Sequence, residues 1–253
     1  MPYVDTNDAT IYYETEGSGP TVLFAHGAGG NAASWWQQVP VFSKTFNVIT
    51  FDHRGFGRSR CTPEHFHPGH FESDAIAVLD AGGVSKAHVV CQSMGGWTGV
   101  RLAALHPERV AKLVLANTPG AIFSDALLNR MRQLVPRPPD SDPTELMLGA
   151  PFRATNPAGR HLYRAISAFN VNPMPLDRLM SRTAFVDPAR LRPFPVPVLM
   201  IASTLDATFP LPMLEETART IGAPLELIED AGHSTYFERP AEFNHVVKRF
   251  LAA

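Results

Sequence analysis

Three residues of this 253-residue chain have the types needed to cleave an acyl bond: Ser93, Asp206 and His233. Ser93 lies in the stretch VVCQSMGG, residues 89–96, where an apolar run stops at a serine and two glycines follow. A serine hydroxyl is a poor nucleophile until a base takes its proton. A neutral imidazole does this, then returns the proton to the leaving group. A carboxylate beside that imidazole fixes its tautomer and stabilises the imidazolium. The three residues are far apart in sequence, so the chemistry requires a scaffold that brings them to one edge.

Six short apolar runs supply such a scaffold: Thr21–Ala25, Val48–Phe51, His88–Cys91, Leu113–Ala116, Val198–Ala202 and Leu225–Ile228. Each is too short for a helix and mostly free of charge, as strands read when a sheet is covered on both faces. Helical patterns at Phe71–Asp80, Met94–His106, Leu211–Ile221 and Glu238–Leu251 lie between or after them. Pro107 stops the second of these, and Gly222 fits the C-cap of the third. The alternation predicts an α/β fold with a doubly wound, mostly parallel sheet. Thr10–Glu14 is expected to add an antiparallel edge strand, closed by the turn Glu16–Pro20. Open parallel sheets bind ligands beyond the carboxyl ends of their strands. Ser93, Asp206 and His233 each follow a predicted strand, in the chain order Ser, Asp, His. HGAGG, residues 26–30, and DHRGFGRS, residues 52–59, end two others.

Residues 119–197 break the rhythm. They hold thirteen of the 23 prolines and ten arginines but no lysine, with helical patches at Ala126–Leu134 and His161–Phe169. The expectation is a core made of 1–118 and 198–253, with 119–197 as a small helical cap inserted over the carboxyl edge. The arginine excess reads as a solvated surface. A net charge of −2 gives no bulk attraction to nucleic acid or an anionic membrane, and no apolar stretch is long enough to span a bilayer. MPYVDTNDATIYY lacks the basic and apolar regions of a secretory signal, and Cys61 and Cys91 form no disulfide framework, so a cytoplasmic setting is expected.

HGAGG, DHRGFGRS, CQSMGG and AGHSTYFERP together resemble the oxyanion loop, the following strand loop, the nucleophile elbow and the histidine loop of the α/β-hydrolase superfamily. The resemblance covers essentially the whole chain and points to its esterase, lactonase and epoxide-hydrolase-like branch. It implies an α/β-hydrolase fold, a Ser93–His233–Asp206 triad, and an oxyanion hole built from the backbone N–H groups of Ala28 and Met94. It implies no cofactor and no metal. Serine at the elbow argues against the dehalogenase and epoxide-hydrolase chemistries, which place aspartate there. The implied substrate is a small to medium carboxylic ester or lactone, cleaved through an acyl-enzyme. A carbon–carbon bond hydrolase of the meta-cleavage-product type shares the triad, although such enzymes often carry tryptophan where Ser234 follows His233. A low-turnover ligand-binding receptor on the same fold is the alternative from another class.

Other residues bear on the site. Asn117 and Asp125 follow the strand before Asp206's, where some relatives place their acid, but Asn117 is uncharged and Asp125 lies farther on. Glu229 and Asp230 are too near His233 in sequence to swing under its ring. Asp52, Arg54, Gly55 and Gly57 are expected to shape a turn. EHFHPGH, residues 64–70, lacks the ligand spacing of a metal site. Trp35, Trp36 and Tyr236 are candidates for a substrate pocket, whereas Trp97 reads as core. Cys91 occupies the elbow's usual first glycine; as the end of a buried strand it reads as packing, not as the nucleophile.

Overall fold

Alternate residues of the apolar runs face opposite ways, and both faces find partners. In the computed structural model, which describes residues 2–134, 142–171 and 174–253, nine strands are formed. They are β1 (Tyr3–Thr6), β2 (Ala9–Gly17), β3 (Thr21–Ala25), β4 (Asn47–Phe51), β5 (Arg60–Cys61), β6 (Ala87–Gln92), β7 (Val110–Ala116), β8 (Val198–Ser203) and β9 (Leu225–Ile228). Their order is β1-β2-β4-β3-β6-β7-β8-β9, with β5 also paired to β2. From β4 to β9 every pairing is parallel.

Six helices of ten residues or more are described: α1 (Phe71–Ala81), α2 (Gly95–Leu105), α3 (Asp125–Leu134), α4 (Pro157–Ala168), α5 (Leu211–Ile221) and α6 (Pro240–Ala252). Leu23, Val89, Cys91, Leu113 and Met200 face one core, together with Val78 and Leu79 of α1, Val100 of α2 and Leu214 of α5. Val22, Phe24, Val90, Val114 and Ile201 face the other, with Trp35, Phe42, and Phe243, Val247 and Leu251 of α6. The spacing of four along α6 keeps those three side chains on one stripe.

The amino-terminal edge differs from the expectation. β2 is longer than Thr10–Glu14 and lies inside the sheet, between β4 and β1. Thr6 pairs with Ala9 across a two-residue turn in which Asn7 and Asp8 both have positive φ, the geometry that tight hairpins require. β1 is half exposed and so carries no buried run to announce it.

Cys91 is fully buried, and burial pushes its thiol above the ordinary range. Its place depends on Gly99 of α2, where an added Cβ would lie 2.5 Å from Cys91 Sγ and 2.7 Å from Leu113 Cδ1. The missing side chain at 99 therefore makes room for the thiol that replaces the usual elbow glycine. Alanine at position 99 gains up to about 1 kcal/mol of helix propensity, against overpacking of about 1–3 kcal/mol. We expect Gly99→Ala to lower the thermal midpoint, and Cys91→Ala in the same chain to recover part of the loss. Calorimetry of the two single variants and the double variant checks both.

Candidate active site

The elbow is a two-residue turn between β6 and α2. Ser93 occupies its apex with φ +51°, a left-handed conformation that costs a residue with a side chain roughly 1–2 kcal/mol. The turn closes because Gly95 and Gly96 have no side chains. A Cβ on Gly95 would lie 2.2 Å from the carbonyl oxygen of Ala25, and one on Gly96 would lie 2.4 Å from Thr118 Oγ1. The chain thus lifts Ser93 out of the sheet, where it stays partly exposed beside a cavity while its neighbours are buried.

His233 is fully buried on the loop after β9, and Phe209 packs against its ring. Its Nδ1 stands 3.0 and 2.9 Å from the two carboxylate oxygens of Asp206, while Nε2 has no hydrogen-bond partner among the described residues. An Nδ1–H donated to Asp206 leaves Nε2 as the lone-pair nitrogen, the form a general base needs. Asp206 meets donors on every side. Its Oδ1 accepts the N–H groups of Thr208 (2.8 Å) and Phe209 (2.9 Å), and its Oδ2 accepts Asn117 Nδ2 (3.0 Å). Asn117 is itself fixed, donating to Ser203 Oγ (2.8 Å) and accepting Thr235 Oγ1 (2.7 Å). Asn117 thus stands as a donor to Asp206. Gln92, just before Ser93, donates to the backbone oxygen of His233 at 3.0 Å and ties the elbow to the histidine loop.

The HGAGG loop abuts the elbow. A Cβ on Gly27 would meet Gln92 Oε1 at 2.2 Å and Ser93 Cβ at 2.9 Å, so only glycine lets the loop approach this closely. Among the described residues no protein acceptor takes the N–H of Ala28 or of Met94. His26 accepts the N–H of His53 on Nε2 (2.9 Å) and therefore donates from Nδ1 to the oxygen of Gly27 (2.8 Å). Burial pushes its pKa below the ordinary histidine value and keeps it neutral in this bridging tautomer. Asp52 accepts the N–H groups of Ala32 (2.6 Å) and Arg58 (2.7 Å), and Arg54 makes a two-pronged, fully buried pair with Asp74. These residues hold loops and do not reach the cavity.

The cavity beside Ser93 has a volume of about 210 Å³. Ala28, Ser93 and Met94 line it on the sheet side with Trp97; Thr208 and Phe209 come from the Asp206 loop. Met131 and Leu134 of α3, Met147, Leu176 and Leu179 make the opposite wall. The aromatic residues expected there stand elsewhere. Trp35 and Tyr236 are buried in the second core, rings 4.7 Å apart, and Trp36 is exposed against Phe237. Their proximity in sequence to HGAGG and His233 misled, because the sheet-side helices turn them into packing. Trp97, in the first turn of α2, is the aromatic residue of the elbow region that lines the cavity. In residues 64–70, His67 accepts the N–H of Gly69 and lies beside Ser181. Among the described residues no group of three or more His, Cys, Asp or Glu is arranged to hold a metal ion. No described helix is long and apolar enough to cross a membrane.

A family model described as "alpha/beta hydrolase fold" matches residues 20–240. The chain belongs to this family. A curated relative from Caulobacter vibrioides named "Putative carbamate hydrolase RutD" is 31% identical to this α/β hydrolase across 95% of each chain. Among solved structures, a hydrolase from Pseudomonas aeruginosa is 26% identical over 99% of this chain and 98% of its own, with a TM-score of 0.83. The enol-lactonase from Burkholderia xenovorans superposes over the full length of both chains with a TM-score of 0.79, at an identity of 23% that speaks to the fold. The α/β-hydrolase fold, with its mostly parallel sheet, and hydrolase activity follow from these matches together.

Proposed function

We propose that this α/β hydrolase is a serine hydrolase that cleaves a small to medium carboxylic ester or lactone through an acyl-enzyme. The observation that carries the reading is the buried His233, bonded through Nδ1 to Asp206 and left with an unpartnered Nε2, near a serine strained out of the sheet at the mouth of an apolar cavity. In this reading Ser93 Oγ attacks the carbonyl carbon as its proton passes to His233 Nε2. The oxyanion settles on the N–H groups of Ala28 and Met94, near the positive end of α2. The imidazolium then protonates the leaving alkoxide, and water reverses the sequence to free the acid. Apo geometry tightens on binding, so the absence of a formed Ser93–His233 bond fits this order of events. No step needs a cofactor or a metal.

Residues 119–197 act here as the cap, with Met131, Leu134, Met147, Leu176 and Leu179 facing the substrate. These side chains favour apolar acyl or alcohol groups sized to the cavity. The identity to relatives named as carbamate hydrolases supports one variant, in which nitrogen flanks the same carbonyl carbon. A panel of p-nitrophenyl esters of rising acyl length, lactones, carbamates and vinylogous diketones separates these outcomes. Short to medium apolar esters or lactones are expected to turn over fastest. Preference for a carbamate or a vinylogous diketone would replace the ester assignment, and slow turnover of everything with tight ligand binding would favour a receptor.

A further inference from the structure

Glu238 is buried, and among the described residues no cation is paired with it. Its two oxygens are used by two different parts of the chain. Oε1 accepts the N–H of Gly232 at 3.0 Å, immediately before His233, and Oε2 accepts the N–H of Gly149 at 2.9 Å, two residues after Met147 of the cavity wall. Both positions are glycine because the backbones nearly touch. A Cβ on Gly232 would lie 2.3 Å from Gly149 N, and one on Gly149 would lie 3.1 Å from Gly232 N. A carboxylate is the one side-chain group that offers an acceptor to both N–H groups and a donor to neither.

We infer that Glu238 is a positioning residue, whose ionised carboxylate clamps the His233 loop to the cavity wall at Gly149 and releases this tie when it takes up a proton. The catalytic part of the inference rests on the serine-hydrolase reading above; the clamp itself does not. Burial pushes the Glu238 carboxyl up to about 7, against the opposing pull of the N–H groups of Gly232, Gly149 and Ser234 and of nearby His233. The charged or titratable groups around it are few. His233 and Tyr236 lie on its own side, and Tyr236 is held neutral by burial. Next door, Arg239 pairs with Asp230 and Glu242. On the facing segment Arg153 donates to the oxygen of Leu148.

Glutamine has the shape of a neutral glutamic acid, so Glu238→Gln fixes the released form at every pH. At pH 8 the variant is expected to lose roughly ten- to a hundredfold in kcat with little change in KM, the size of loss that follows a small misplacement of a reacting group. At each pH the ratio of the two rates cancels whatever pH dependence the two proteins share. That ratio should be greatest above pH 7 and shrink as the pH falls through 7 and the natural carboxyl protonates. Glu238→Asp, which keeps the charge, should retain more activity than Glu238→Gln. Equal kcat at pH 8, or a ratio that does not change with pH, overturns the catalytic part.

Stability gives a readout that needs no substrate. A carboxyl raised in the folded state contributes stability that is complete below the unfolded value of 4.5 and lost as the pH rises through about 7. The thermal midpoint of the natural protein should therefore decline relative to Glu238→Gln across that window. The clamp is also tested on the natural protein alone, by carbon-13 NMR of labelled glutamate with the amide signals of Gly149 and Gly232. A carboxyl midpoint near 7 with concerted shifts of both amides supports the clamp even if no ester is hydrolysed, which would be a failure of the reaction assignment alone. A midpoint at the ordinary glutamate value with unmoved amides overturns it.

Discussion

Replacing Ser93 by alanine is expected to lower ester turnover by roughly 10⁶-fold, the loss seen when a triad nucleophile is removed. The residual rate should still exceed that in water, because the donors opposite the elbow and the cavity remain. Folding should not suffer. Ser93 holds a left-handed backbone at φ +51°, and alanine tolerates it about as poorly as serine does. The side chain is partly exposed and, among the described residues, its Oγ is bonded to no other, so the thermal midpoint should stay close to that of the natural protein. Hydrolysis of a p-nitrophenyl ester with a calorimetric scan checks both halves. A variant that hydrolyses as fast as the natural protein would remove Ser93 from the mechanism, and with it the serine-hydrolase reading.

Asp206→Asn should cost roughly 10⁴-fold in kcat through the tautomer of a residue it does not replace. All four polar partners of Asp206 are donors: the N–H groups of Thr208 and Phe209, Asn117 Nδ2 and His233 Nδ1. Asparagine has one acceptor oxygen. If that oxygen stays with the two backbone N–H groups, the new amide NH₂ faces Asn117 Nδ2 and His233 Nδ1. His233 then holds its proton on Nε2 and has no lone pair there to receive one from Ser93. Raising the pH should not restore the rate, since the defect is a misplaced proton and not an excess of protons. A kcat–pH profile distinguishes the two. Recovery of most of the activity at high pH would mean that Asp206 acts by charge alone.

How far the site could be read from sequence differed residue by residue. The strands were legible because both faces of the sheet are buried, which leaves unbroken apolar runs such as Thr21–Ala25 and Val198–Ala202. β1 was not, since its side chains stay exposed or half exposed and so form no buried apolar run. Ser93, Asp206 and His233 were legible as the residues after three such strands, because a parallel sheet puts all its carboxyl ends on one edge. Trp35 and Tyr236 were misplaced because nearness in sequence says nothing about the direction of a side chain on a short helical turn. Gln92, Asn117 and Glu238 gave no sequence signal of their roles, since each acts on a partner from another element.

By itself, then, the sequence determined the buried strands, their order along the chain and the three chemical groups that follow strands, because burial and chain direction are written in local pattern. Only the tertiary structure decided which donors surround Asp206, that Gly99 makes room for Cys91, which aromatic residue faces the cavity, and that one buried carboxylate spans two glycines from distant segments. Hydrogen bonds and close packing act across a few ångströms, whatever the number of residues between the partners. Those few ångströms exist only after the chain has folded.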